Sequence, residues 1–286
     1  MPSFASATSS NPPLTNLEPN RCFSTLGAPQ SSWLEVLEFA RQSGLNAVEI
    51  RCLDGQVVEP SKFGALLPSV DQARQDLKEY GLSLAMLGTS VKLLDRTDIE
   101  LEKLTAFAQL ADQLDCPWLR IFDGGTIGES PSQSTFQQTR VFLETWAKLR
   151  DDHGFRCDIA VETHDAMANL KTSRAILEAL PHFHVLWDTH HTWRNGEGLL
   201  EYYLLVKERT VHYHVKDSVD RPSKRKPFTY VEPGTGEFPW PALGELLRER
   251  KPNAQISFEW EQHWNPELAD IEDVMPAFLR QTNNWA

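Results

Sequence analysis

Four stretches of the sequence place an acid or a histidine directly after a short apolar run. AVETHD carries Glu162, His164 and Asp165; VLWDTHH carries Asp188, His190 and His191; HYHVKDS carries His212, His214 and Lys216; SFEWE carries Glu259 and Glu261. Groups this polar lose hydration at the edge of a core and need a compensating partner there. Taking one from each stretch gives Glu162, Asp188, His214 and Glu259, a hard, oxygen-rich donor set. Such a set suits one divalent metal ion, with Mn²⁺, Mg²⁺ or Co²⁺ ahead of Zn²⁺, which it also accepts. Glu261 has the strand parity of Glu259 and is the alternative fourth ligand. Any one of these groups alone reads more readily as an ordinary hydrogen-bond or ion-pair partner. Their recurrence on four runs is what points to a shared site.

Elements with a regular repeat are needed to bring the four runs together. Short β-branched or aromatic runs recur at 22–27, 47–51, 82–88, 118–124, 158–165, 183–190, 210–218 and 255–261. Between them, segments 32–44, 69–81, 99–115, 133–152, 167–180 and 239–250 space their apolar residues by three and four, as amphipathic helices do. Gly44 and Gly81 close two of these patterns at positions suited to left-handed C-caps. Eight strand–helix units over this length predict a single (β/α)8 TIM barrel, an α/β fold of about 250 residues. An open doubly wound sheet is the alternative, but no G-x-G-x-x-G follows the first run. In a barrel the chemistry sits where strands end and loops begin, which is where the four polar stretches lie. Glu49 and Arg51 share one face of the second run, and Arg120 and Phe122 share one of the fourth. Glu49 and Arg120 are therefore further pocket candidates, with mutual pairing inside the barrel as the alternative.

Composition narrows the partners. The 286 residues carry a net charge of -12 with 41% hydrophobic content, which argues against a nucleic-acid or anionic-membrane surface and for a small-molecule ligand. Cys22, Cys52, Cys116 and Cys157 lie far apart with no C-x-x-C pair, so buried reduced thiols in a cytoplasmic protein are expected. Residues 1–19 read as a flexible tail ahead of a barrel over 20–286, and no apolar run has the length of a membrane span. The long segment 218–240 concentrates Arg221, Lys224, Arg225 and Lys226 in an otherwise acidic chain. It is expected either to capture a phosphate or carboxylate or to be a solvated loop. Trp193, Trp260 and Trp264 are candidates for stacking on a sugar face, or for packing.

The segments FSTLG, NAVEIR, LGTSV, CPWLRIF, AVETHD, WDTHH, HYHVKDS, PGTGEFPW and SFEWE together resemble the xylose isomerase-like TIM barrels, a superfamily of sugar and sugar-phosphate isomerases and epimerases. The likeness runs from about Asn20 to the C-terminus. It implies metal ligation by Glu162, Asp188, His214 and Glu259. It also implies that Glu162 and Glu259 act as acid and base on opposite faces of a bound sugar, and that His191 contacts substrate oxygens. Epimerases of this kind often place an arginine shortly after the seventh-strand histidine. Here the run is HVKDSVDR, which offers Lys216 or Arg221 instead. His164 is expected at the substrate or the metal, or in a structural hydrogen bond. Lys216 is expected at an oxyanion, or in a salt bridge with Asp217 or Glu162.

The resulting expectation is a divalent-metal-dependent isomerase or epimerase of a sugar, ketose or related polyol or keto acid. Proton abstraction next to a carbonyl would pass through a metal-stabilised enediolate. A metal-dependent dehydratase of the same superfamily is the competing activity, and a non-catalytic sugar- or metal-binding barrel is the competing class. A DNA-repair endonuclease would need more histidine ligands and a basic face. Homo-oligomers are common among such barrels and are a further expectation.

Overall fold

Segments such as AVEI at Ala47–Ile50 are buried at every position, and a strand apolar on both faces must be covered on both. The computed structural model describes residues 20–96, 99–180, 183–248 and 254–285; the expected tail, residues 1–19, lies outside them. Eight strands form one sheet: β1 (Arg21–Phe23), β2 (Ala47–Ile50), β3 (Ser83–Lys92), β4 (Trp118–Phe122), β5 (Asp158–Glu162), β6 (His184–Asp188), β7 (Thr210–Val215) and β8 (Gln255–Phe258). Their order is β1-β8-β7-β6-β5-β4-β3-β2, and every pairing in the sheet is parallel. A parallel bridge between Ser24 and Glu49 brings β1 against β2 and nearly closes the barrel.

Among the described residues ten α-helices accompany the strands: α1 (Trp33–Gln42), α2 (Pro60–Leu66), α3 (Val70–Tyr80), α4 (Glu100–Gln113), α5 (Gln133–His153), α6 (Leu170–Ala179), α7 (Thr189–Arg194), α8 (Leu199–Val206), α9 (Trp240–Leu247) and α10 (Ile271–Thr282). Local signals fix their ends. Oxygens of Ser69, Ser132 and Asn169 accept the N–H groups of Gln72, Thr135 and Thr172, each at 3.1 Å, at the starts of α3, α5 and α6. Gly81 and Gly154 end α3 and α5 with φ of 67°, a conformation that glycine adopts without a Cβ penalty. Gly44, just past α1, likewise has positive φ.

Strand parity separates two environments. Val185, Trp187, Val215 and Phe258 point outward into the main apolar core beneath the helices, whereas Met86, Ala160 and Leu186 form a small cluster of their own. Glu162 and Asp188 have the parity of Ala160 and Leu186, so they rise from that inner cluster toward the C-terminal mouth. The inner layer next to it is polar. Glu49 Oε2 lies 2.9 Å from His212 Nε2 and from His214 Nε2, and it accepts the Ser257 hydroxyl at 2.9 Å.

The structure departs from the expected boundaries at the functional end. The fifth to eighth strands stop at Glu162, Asp188, Val215 and Phe258, and the third runs on to Lys92. Helices α2, α7, α8 and α10 lie outside the six amphipathic segments read from the sequence. After β7 the chain forms a separate antiparallel pair, Asp217–Val219 with Thr229–Val231. All four cysteines are buried and free, as expected. No helix among the described residues is long and apolar enough to cross a membrane.

Candidate metal centre and pocket

Asp188 ends β6 and caps α7 in the same step. Its Oδ1 accepts the His191 N–H at 2.8 Å, and that first turn swings the His191 ring back until Nε2 is 3.3 Å from Oδ2. The D-x-x-H spacing is thus a helix N-cap that stacks an imidazole over the capping carboxylate. Glu162, at the end of β5, lies with Oε1 3.1 Å from His214 Nδ1 and with Oε2 3.4 Å from Arg120 Nη1. Glu259 follows β8 and lies 3.2 Å from His214 Nδ1 through Oε2. One oxygen or nitrogen from each of Glu162, Asp188, His191 and Glu259 falls within a sphere of mutual separations of 4.8 Å. His214 borders the same carboxylates, with Nδ1 3.8 Å from Asp188 Oδ2, while its Nε2 is engaged by Glu49.

Lys216 is fully buried in the middle of these acids. Its ammonium donates to Asp188 Oδ2 at 2.7 Å, to Glu261 Oε1 at 3.2 Å and to Glu259 Oε2. This corrects the partners expected from sequence, Asp217 or Glu162. Asp217 faces away and accepts the N–H groups of Gly234 (2.8 Å), Gly236 (3.1 Å) and Phe238 (3.0 Å) and the Trp240 indole at 2.9 Å. It anchors the PGTGEFPW turn, a role that sequence reading left unassigned. Glu261 is held by the Tyr230 hydroxyl at 2.7 Å as well as by Lys216.

The charges hold one another in place. Burial pushes the Glu162 carboxyl up, but Arg120 and His214 bring it below its ordinary value. Glu259 is brought lower still against burial by His214 and Lys216. Burial raises Asp188, with Lys216 opposing. His214 is driven well above the usual imidazole range, against burial, by Glu259 and Glu49. Burial and then Lys216 keep His191 far below that range.

The cluster opens into a cavity of about 310 Å³ at the mouth. His164 is in its wall, with Nδ1 2.9 Å from Asp165 Oδ1 and its ring 4.6 Å from that of His191. Burial lowers the His164 pKa, yet Asp165 and Glu162 raise it to about 9. Of the basic segment, Arg225 and Lys226 line the cavity while Arg221 and Lys224 are exposed outside its lining. Of the three tryptophans only Trp264 reaches it: Trp260 is buried against Phe258, and Trp193 packs on Phe238. Glu49 lies in the polar layer, fully buried and absent from the cavity lining, whereas Arg120 and Arg51 are in the wall.

A family model described as xylose isomerase-like TIM barrel matches residues 37–282. Among solved structures, the chain is similar to the probable 3-DHS dehydratase AsbF of Bacillus anthracis, with a TM-score of 0.74, 16% identity, and coverage of 91% of this chain and 97% of that one. The IOLI protein with a bound zinc atom gives 0.74 at 15% identity, covering 93% and 99%. D-allulose 3-epimerase from Methylomonas sp. gives 0.67 at 17% identity, covering 93% and 97%. At identities this low the structural similarity establishes a shared fold alone. No curated protein matches the sequence.

Proposed function

The chain belongs to the xylose isomerase-like TIM barrel family, and from that premise we propose that it is a divalent-metal-dependent isomerase or epimerase acting on a sugar, ketose or related polyol or keto acid. The observation that carries this reading is the convergence of Glu162, Asp188 and Glu259 with an imidazole at the barrel mouth. The donors fit an ion: three buried carboxylates stand together, and Glu162 Oε2 has no hydrogen-bond partner. Glu162, Asp188 and Glu259 would hold the ion, with His214 as the imidazole ligand and His191 as the alternative. When bound, the ion would supply Lewis acidity to a substrate carbonyl.

The protein's own groups account for the rest. Glu162 and Glu259, both held below the ordinary carboxylate value, would take or return a proton at the carbon beside the carbonyl. Removal by one and return by the other would invert that carbon; return at the former carbonyl carbon, with the hydroxyl proton passing to the other oxygen, would interconvert aldose and ketose. His191, kept neutral by burial, can accept or donate a hydrogen bond to a substrate hydroxyl. A dehydratase is the second reading, supported by the fold shared with AsbF and by the imidazolium of His164 in the wall. There a carboxylate would take the proton and His164 would protonate a departing β-hydroxyl, releasing water.

Elemental analysis after dialysis, paired with deuterium uptake from D2O into D-allulose and D-fructose, tests the proposal. One ion per chain, lost in Asp188→Ala, and exchange abolished in Glu162→Gln support it. A wild-type protein that retains no ion and catalyses no exchange overturns it.

A further inference from the structure

Two buried arginines in the cavity wall share one neighbouring carboxylate and leave donors unmet. Arg120 projects inward from β4 and is 1% exposed. Its Nε and Nη1 have no hydrogen-bond partner, and the carboxylate beside it, Glu162, approaches only to 3.4 Å. Arg51, just after β2 and 4% exposed, donates to two neutral acceptors, the Gly88 carbonyl at 3.2 Å and the Ser90 hydroxyl at 3.0 Å. Buried guanidinium N–H groups without hydrogen-bond acceptors are costly even beside one carboxylate.

The site around the pair is built. Gly88 lies opposite Arg120 in the strand register. A Cβ there would stand 2.8 Å from Arg51 Cδ and 3.2 Å from Arg120 Nη2, so the missing side chain lets the two cations share one corner. The face of Phe122 supports the Arg120 guanidinium, 4.0 Å from carbon to ring centroid. Arg225 and Lys226 add further positive charge to the wall. Two of the acids there, Glu259 and Glu261, are already bound to Lys216.

We propose that the pocket takes a substrate bearing an oxyanion, a carboxylate or a phosphate, which docks on the guanidinium groups of Arg51 and Arg120. The proposal rests on the proton-transfer site above and names the class of substrate that site accepts. A planar, forked donor matches either oxyanion through paired hydrogen bonds. The cavity of about 310 Å³ limits the substrate to a small molecule. The anion then fixes which carbon faces Glu162 and Glu259.

Calorimetric titration of the Mn²⁺-loaded protein with two matched pairs tests this: D-glucuronate against D-glucose, and D-fructose 6-phosphate against D-fructose. In at least one pair the anion is expected to bind about tenfold tighter or more than its neutral partner, and the successful pair identifies the oxyanion. Arg120→Gln and Arg51→Gln should each erase the preference, and Arg140→Gln on the outer helix should leave it intact. If Arg120→Gln fails to fold, Arg51→Gln carries the test. Equal binding of charged and neutral partners, no binding by either anion, or a preference that survives at Arg51 and Arg120 overturns the proposal. Retained ion and deuterium exchange without anion preference would sink this inference alone. An anion preference in a protein that holds no ion and exchanges no proton would sink the proposed function instead.

Discussion

At Lys216 a buried ammonium meets the carboxylates of Asp188, Glu259 and Glu261. Removing one side of such a cluster leaves the other side charged and unpaired, at a cost of roughly 3–5 kcal/mol. Lys216→Met should therefore lower stability by about that amount in the presence of EDTA. Saturating Mn²⁺ should restore more of it than it adds to the wild type, because the ion replaces the lost charge. Urea unfolding with and without metal measures both quantities. His190 gives a prediction in pH. Its Nε2 lies 2.7 Å from the Ser218 hydroxyl among Trp193, Phe228, Tyr230 and Phe238. Burial, then Lys216 and Arg194, push its pKa well below the ordinary 6.5. The unfolded chain thus binds a proton that the folded chain refuses, so this contribution is full above the unfolded pKa and is lost as pH falls below it. Between about pH 7.5 and about pH 5.5 the wild type should lose up to about 1.4 kcal/mol more than His190→Asn, as read by urea titration at each pH.

Single elements show what the sequence could disclose. The eight runs and the six amphipathic segments were legible because strands covered on both faces read as short apolar runs and helices space their apolar residues by three and four. The strand ends were not. DTH reads as the end of the strand, yet α7 begins at Thr189, where Asp188 accepts the His191 N–H of its first turn. A six-residue helix is too short to show a period. LLEYYLLV of α8 buries Leu199, Tyr202, Tyr203 and Val206, a helical spacing obscured by exposed Leu200 and Leu204. Glu162, Asp188, His214 and Glu259 were visible as acids and a histidine after apolar runs. The open fork of Arg120 was not, since it depends on what neighbouring strands fail to supply. Asp217 matters at this scale because it ties the turn after the Asp217–Val219 hairpin to the barrel. Asp217→Ala should cost about 1.5–3 kcal/mol or more, as a charged acceptor of several N–H groups is lost. Amide exchange should then quicken at Gly234, Gly236 and Phe238 ahead of the rest of the chain, and unchanged protection there would contradict the anchoring role.

Across the whole molecule, eight parallel strands gather groups from far-apart stretches of sequence into one mouth, and the same closure seals every cysteine inside. Burial pushes the thiols of Cys52, Cys116 and Cys157 up to about 12 and that of Cys22 higher still. At neutral pH they are protonated and out of reach, and the thiolate is the nucleophile. Alkylation therefore acts as a stopwatch on the barrel, advancing only while a molecule is open. Iodoacetamide should add nothing to the intact mass of the native protein over a period in which urea-unfolded chains acquire four adducts, one for each cysteine. Early labelling of a single cysteine would mean that one part of the ring breathes on its own. Simultaneous labelling of all four would mean that the strands part together, and its rate would report how long the closed ring lasts.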